Sequence, residues 1–129
     1  MKFLSLIFGF MLFMSIQTKA QVITSFTGSD TIVNTATVNC DLILRNAYTS
    51  GAFQVVNTKV SGTVAGNTLF QGSVDGTNYV TLDTLTNTDV TTNTKIIVQT
   101  PPTYPYYRFT YTGSGTMSAI MVAKAHFKK

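Results

Sequence analysis

The residues able to do chemistry in this chain are few. His126 is its single histidine and Cys40 its single cysteine, and its five acids are all aspartates: Asp30, Asp41, Asp75, Asp83 and Asp89. A Ser-His-Asp or Cys-His arrangement would have to use His126. That residue lies near the C-terminal end between Lys124 and Lys128, two cations that disfavour a charged imidazole, with no acid nearby in sequence. A solvated strand-end histidine fits this setting better than a general base. A glycosidase pair needs two acids facing each other across a cleft, and the scattered aspartates offer no such spacing. Zinc lacks ligands. Asp83, Asn87 and Asp89 alternate with hydroxyl residues, but the run lacks the Gly and terminal Glu of an EF-hand and reads as a solvated loop. No phosphate-cradling Gly loop precedes a helix. The expectation is a protein with no catalytic residue, no metal and no cofactor, and hence not an enzyme.

What remains is binding, and the aromatic residues carry it. Tyr107, Phe109 and Tyr111 alternate with Tyr106, Arg108 and Thr110, so the first three share one face of a strand. That face reads as core. Tyr104 and Tyr106 lie among Pro101, Pro102 and Pro105 and off the core face. The prolines limit backbone freedom, so little ordering entropy is lost when a partner docks. Arg108 shares the Tyr106 face and can donate to sugar hydroxyls or carboxylates. The expected binding residues are therefore Tyr104, Tyr106 and Arg108, forming one aromatic patch. The competing reading has these tyrosines capping one end of a core.

The elements that position them read as strands. The chain has no Glu and no Trp, and it is rich in Thr, Val, Ile, Tyr and Phe. Apolar residues at helical spacing are missing after residue 20. Short stretches cut by Gly, Asn, Asp and Ser recur instead. Strands are expected over 21–27, 31–39 with a continuation to 44, 52–64, 68–74, 79–82, 94–100, 106–112 and 116–127. Gly28-Ser29-Asp30 is expected to break the first two. Ala65-Gly66-Asn67 and Gly113-Ser114-Gly115 are expected to close hairpins, and 83–93 to be a polar surface connection. Three prolines exclude 101–105 from a central strand. On the last strand Met117, Ala119, Met121, Ala123, Ala125 and Phe127 share a face whose small residues suit close packing under larger side chains. The sum is an all-β protein, an antiparallel β-sandwich of about eight strands, jelly-roll-like or Ig-like.

The first twenty residues stand apart. Met1-Lys2 is followed by an uncharged apolar run of fourteen residues, Phe3 to Ile16, and then by Gln17-Thr18-Lys19-Ala20. This is the layout of a signal peptide over 1–20, cleaved after Ala20. A spanning helix wants about 20 apolar residues, so no membrane insertion is expected after cleavage. No Cys follows the run, which argues against a lipoprotein. The remainder, 21–129, is expected to be a single domain that is secreted, periplasmic or on the cell surface. Its seven basic residues against five aspartates leave little net charge, and three of the bases crowd the last six positions. No basic stripe runs through the body, so no nucleic-acid partner is expected. Cys40 has no partner for a disulfide, and its flanks Val38 and Leu42 to Leu44 are apolar, which predicts burial.

The stretch Phe70-Gln71-Gly72-Ser73-Val74-Asp75-Gly76-Thr77-Asn78-Tyr79-Val80-Thr81-Leu82, with Tyr106-Tyr107-Arg108-Phe109 after a polar interval, resembles two groups of small β-sandwich modules. Discoidin-type domains have a similar Ser-x-Asp-Gly-x-x-aromatic turn and a similar aromatic-x-Arg-apolar strand. Small phage virion proteins of β-sandwich fold are similar there too, and in a Gly-Ser-Gly segment before a final Ala-rich strand. The resemblance spans about half of 21–129, and it implies a non-catalytic protein that binds or assembles. No discoidin ligand loop carries over. The expected function is an exported, non-catalytic binding module whose partner is carbohydrate or a protein surface. The alternative is a structural subunit of a larger assembly, a phage virion or surface-layer component, in which the chain is a homo-oligomer.

Overall fold

The computed structural model describes residues 24–129. The expected signal peptide lies outside the described residues. Eight strands form two four-stranded antiparallel sheets. In chain order they are β1 (Thr24–Val33), β2 (Thr37–Ile43), β3 (Ser50–Gly62), β4 (Gly66–Ser73), β5 (Val80–Asn87), β6 (Thr92–Gln99), β7 (Tyr106–Gly113) and β8 (Met117–Lys128). The first sheet has the order β1-β8-β3-β6 and the second β2-β7-β4-β5. Only the β4–β5 connection stays within a sheet; each of the others crosses to the opposite one. This is the eight-stranded jelly roll, the first of the two architectures expected.

Alternation builds the core. On β8, Met117, Ala119, Met121, Ala123, Ala125 and Phe127 are all buried, as the sequence predicts. The alanines make room for large rings. Ala125 faces Phe53 in register, and Phe53 packs against Phe70, Tyr107 and Phe127 with ring centroids 4.8, 4.7 and 5.4 Å away. Phe70 stacks on Tyr107 and tilts against Phe109. Burying such rings supplies about 3 kcal/mol or more each, measured as the loss on truncation to Ala. Cys40 is buried in this core, and burial pushes its thiol up from the ordinary value.

The β5–β6 side of the sandwich is closed differently. There Asn57, Thr68 and Asn87 are buried and bonded to one another: the Asn57 amide donates to Thr68 Oγ1 at 2.8 Å and to Asn87 Oδ1 at 2.7 Å, and the Asn87 amide donates to Thr68 Oγ1 at 2.9 Å. Outside them, Lys95 Nζ meets Asp83 Oδ1 at 2.6 Å across the two edge strands. Lys59 Nζ meets Asp89 Oδ1 at 2.7 Å, and the same carboxylate accepts from Val64 N.

Several expected boundaries are corrected. Gly28-Ser29-Asp30 does not break the chain; it runs through β1, opposite Ala123, Val122 and Met121 of β8. The break falls at 34–36, where Asn34 takes a positive φ that its short amide tolerates and its Oδ1 accepts from Met117 N. Residues 83–87 are strand, not connection: Phe70 pairs with Asp83 and Gln71 with Thr81, so Leu82 is an extra residue in β5, and this bulge disturbs that strand's own alternation. The turns at 65–67 and 113–115 join strands of different sheets, so neither closes a hairpin. β3, expected over 52–64, starts at Ser50 and ends at Gly62, whose positive φ takes the chain out of the strand.

Candidate binding face on the second sheet

Outward-pointing residues of the second sheet meet in rows fixed by register. Asp41 of β2 stands opposite Arg108 of β7, and Arg108 opposite Gln71 of β4, which pairs with Thr81 of β5. One row along, Ile43 stands opposite Tyr106, and Tyr106 opposite Ser73. On the other side, Asn39 stands opposite Thr110.

These side chains form one network. Arg108 Nε donates to Gln71 Oε1 at 2.7 Å, and its guanidinium carbon sits 3.7 Å above the centroid of the Tyr79 ring. Thr110 Oγ1 lies 2.7 Å from Asn39 Oδ1 and 3.1 Å from Gln71 Oε1. Gln71 Nε2 reaches Thr81 Oγ1 at 3.3 Å. Gln71 is only 8% exposed although it belongs to the outer face, because its neighbours close over it. A buried amide that holds a guanidinium in one orientation leaves that group's two terminal nitrogens free to donate side by side.

Tyr79 reaches Arg108 because the turn before it is locally locked. Asp75 Oδ1 accepts from Ser73 Oγ, Thr77 N and Asn78 N at 2.9, 2.8 and 2.7 Å, and Oδ2 accepts from the Asn78 amide at 2.7 Å. These bonds, the Asn78 backbone first, hold the Asp75 carboxyl well below the usual carboxylate range. Gly76 takes a positive φ and passes so close to Tyr106 that a Cβ there would lie 3.1 Å from its ring. The turn therefore folds against the outer face, with Gly76 on Tyr106 and Tyr79 under Arg108. Burial, and then the Asp41 carboxylate, push the Tyr79 phenol up.

Tyr106 and Arg108 thus come together as the sequence predicts. Tyr104 does not join them. Its ring packs edge-on against buried Tyr107 at 5.9 Å, and its backbone N donates to the Tyr107 hydroxyl. The ring fills the space where Gly72 lacks a Cβ; a Cβ there would lie 2.6 Å from it. Tyr104 therefore caps the end of the core, half-buried, between two surface depressions. One, of about 360 Å3, is lined by Gly72, Val74, Asp75 and Val80; the other, of about 290 Å3, by Arg45, Asn46 and Pro102. The expectation of one patch made by Tyr104, Tyr106 and Arg108 is corrected on this point. Tyr79 and Gln71 were missed as members. The Asp-Gly turn signal preceding Tyr79 was visible in sequence, but nothing there shows the turn folding back onto β7.

Elsewhere, His126 lies exposed on the outer face of the first sheet, opposite Ala52. Asp83 and Asp89 are engaged with Lys95 and Lys59. Among the described residues no group of three His, Cys, Asp or Glu side chains is placed to hold a metal ion, and no helix is long and apolar enough to cross a membrane.

The fold defines a class, the small eight-stranded β-sandwich modules, and comparison with known proteins reaches the same level. No family model matches the chain, and no curated protein matches it. Among solved structures, the protein of the Bacillus endospore appendages, a family of disulfide-linked pili, aligns with a TM-score of 0.53 at 7% identity over 84% of this chain and 89% of that one. The Yersinia pseudotuberculosis-derived mitogen aligns with a TM-score of 0.50 at 12% identity over 81% and 85%. A family 16 carbohydrate-binding module aligns at 0.44 and 13% identity over 72% and 70%, a likeness too low to argue from. The first two show a shared fold. The resemblance read from sequence holds as that of a small β-sandwich and gains no discoidin-specific support.

Proposed function

We propose that the protein is an exported, non-catalytic binding module that takes carbohydrate or a protein surface on the outer face of the second sheet. The observation that carries this is the fixed guanidinium of Arg108, stacked on Tyr79 and held by a buried Gln71. Folding places no such demand on an outward position, and burying a polar amide there costs stability unless every bond is made. Tyr106 beside it offers a half-exposed ring for stacking on a sugar or packing on a partner. Tyr104 supports the face from the core side. Residues 1–20 serve as the export signal in this reading; an intact mass of exported protein that begins at Gln21 agrees with it, and one that retains Met1 to Ala20 overturns that part. Native affinity gels carrying soluble polysaccharides test the binding role. The wild-type chain is retarded, Tyr106→Ala runs freely at unchanged melting temperature, and Arg108→Ala, which takes a bond from buried Gln71, runs freely at a temperature well below its own midpoint. Equal mobility of all three in every gel speaks against the face as a glycan site.

A second reading, a structural subunit, is favoured by one feature. Ile96 and Val98 on edge strand β6 are 61% and 64% exposed on the outer face of the first sheet, and Ile120 is exposed on the same face. A pilus protein shares the fold, but Cys40 is buried here, so the folded chain does not offer that thiol for a disulfide link between copies. Sedimentation over a range of concentrations distinguishes a monomeric module from an assembling subunit.

A further inference from the structure

We infer that the second-sheet face binds a neutral glycan through a vicinal diol bridging Asp41 and Arg108, an inference that rests on the binding role proposed above. Asp41 and Arg108 are directly opposite on neighbouring strands, where side chains start about 5 Å apart. Opposite charges so placed ordinarily pair. Here the ion pairs within 4 Å among the described residues are Lys59–Asp89 and Lys95–Asp83. Arg108 instead leans the other way, onto Tyr79 and Gln71. Asp41 is left exposed.

The face therefore presents a carboxylate that only accepts beside a guanidinium end that only donates, with a gap between them. A hydroxyl both donates and accepts. Two adjacent sugar hydroxyls can donate to Asp41 and accept from the terminal nitrogens of Arg108 at once. Tyr106 lies diagonal to Asp41 and next along β7 from Arg108, where its ring can take the flat face of the same sugar. Around the Tyr79 ring the one cation, Arg108, is set against two carboxylates, Asp41 and Asp75, so nothing in the local charge rewards a ligand carboxylate. A uronate that gained Arg108 would be brought against Asp41.

Affinity gels with mixed-linkage β-glucan, xylan and galactomannan as neutral probes, and polygalacturonate and alginate as acidic ones, test this. The expected result is retardation by at least one neutral polymer, with an affinity that changes less than about twofold between roughly 0.05 and 0.5 M salt, since no net charge is neutralised. Asp41→Ala then weakens binding about tenfold or more. Arg108→Lys weakens it comparably, because the ammonium keeps the charge and loses the planar fork. Asp41→Ala keeps the wild-type melting temperature, and Arg108→Lys, which gives up the Nε bond to buried Gln71, is compared well below its own midpoint. Neutral binding untouched by Asp41→Ala overturns this inference and leaves the binding role standing. So does retention by acidic polymers alone, falling steeply with salt. Free migration in every gel overturns the glycan reading, and the inference with it.

Discussion

The two sheets share one core and turn different chemistry to solvent. On the second sheet the outward row runs Asp41, Arg108, Gln71 and Thr81, the last three tied together by hydrogen bonds and the Tyr79 ring, with Asp41 left open at the end. On the first sheet the matching rows read Lys124, Gln54 and Ile96, or Val122, Val56 and Thr94, with no comparable ladder among the described residues. Both inner faces are built by alternation, interrupted on β5 at Leu82 and on β3 between Lys59 and Ser61. The difference teaches where selection other than folding has acted: inward positions are constrained by packing, so the information about role lies in the outward ones.

The comparison can be broken or sharpened by substitution. The largest expected effect belongs to neither face. Phe70→Ala removes a ring that touches Phe53, Tyr107 and Phe109, and should cost about 3–5 kcal/mol, read as a lowered denaturant midpoint. If it costs less than about 1 kcal/mol, the shared core is not packed as described. Next, Tyr104→Ala should cost about 2 kcal/mol or more, since the half-buried ring fills the place over Gly72, while Tyr106→Ala on the opposite side of the sheet should change the midpoint far less. Equal losses would return both tyrosines to one role. The double change Ile96→Thr and Val98→Thr should leave stability within about 0.5 kcal/mol, as exposed substitutions do. It should also abolish any self-association seen by sedimentation; association that survives it places the contact elsewhere.

The smallest effect concerns the closed β5–β6 edge. Lys95 holds the Asp83 carboxyl below its usual range, and Lys59 does the same for Asp89. A depressed carboxylate contributes stability that is present above the unfolded value near 3.8 and is lost as pH falls through the folded one. The melting temperature should therefore decline from about pH 5 downward, and Asp83→Asn should flatten that decline. At neutral pH the same variant should cost about 0.5 kcal/mol or less, because the pair is part-exposed and screened. A pH profile unchanged by Asp83→Asn would remove this pair from the closing of the edge.

Sequence reading reached the inner faces and stopped at the sheet assignment. β7 and β8 alternate cleanly, so their buried sets, Tyr107, Phe109 and Tyr111 and the Met-Ala-Phe row, were legible. The Gly-rich turns at 65–67 and 113–115 were legible as reversals, but a reversal does not say which sheet the chain re-enters. β5 was half lost because the bulge at Leu82, opposite Phe70 and Gln71, shifts its register by one, and period two is the only strand signal a polar edge strand carries. Of the candidate site, Tyr106 and Arg108 followed from alternation. Tyr104 went astray because flanking prolines suggest the surface, whereas its position is decided by Gly72, thirty-two residues earlier, leaving a place for the ring. Tyr79 and Gln71 enter through tertiary contacts that no local spacing reports.

The placement of β8 has a consequence for the order in which the molecule can form. This strand is the last of the eight in chain order, yet it lies between β1 and β3 and pairs with both, Phe127 facing Thr24 on one side and Gly51 on the other. A chain made from its N-terminus holds β1 and β3 apart, with two unsatisfied edges, until residues 117–128 arrive. One of the two sheets is therefore completed by β8, and a nascent chain stays without a complete first sheet until residues 117–128 have been made.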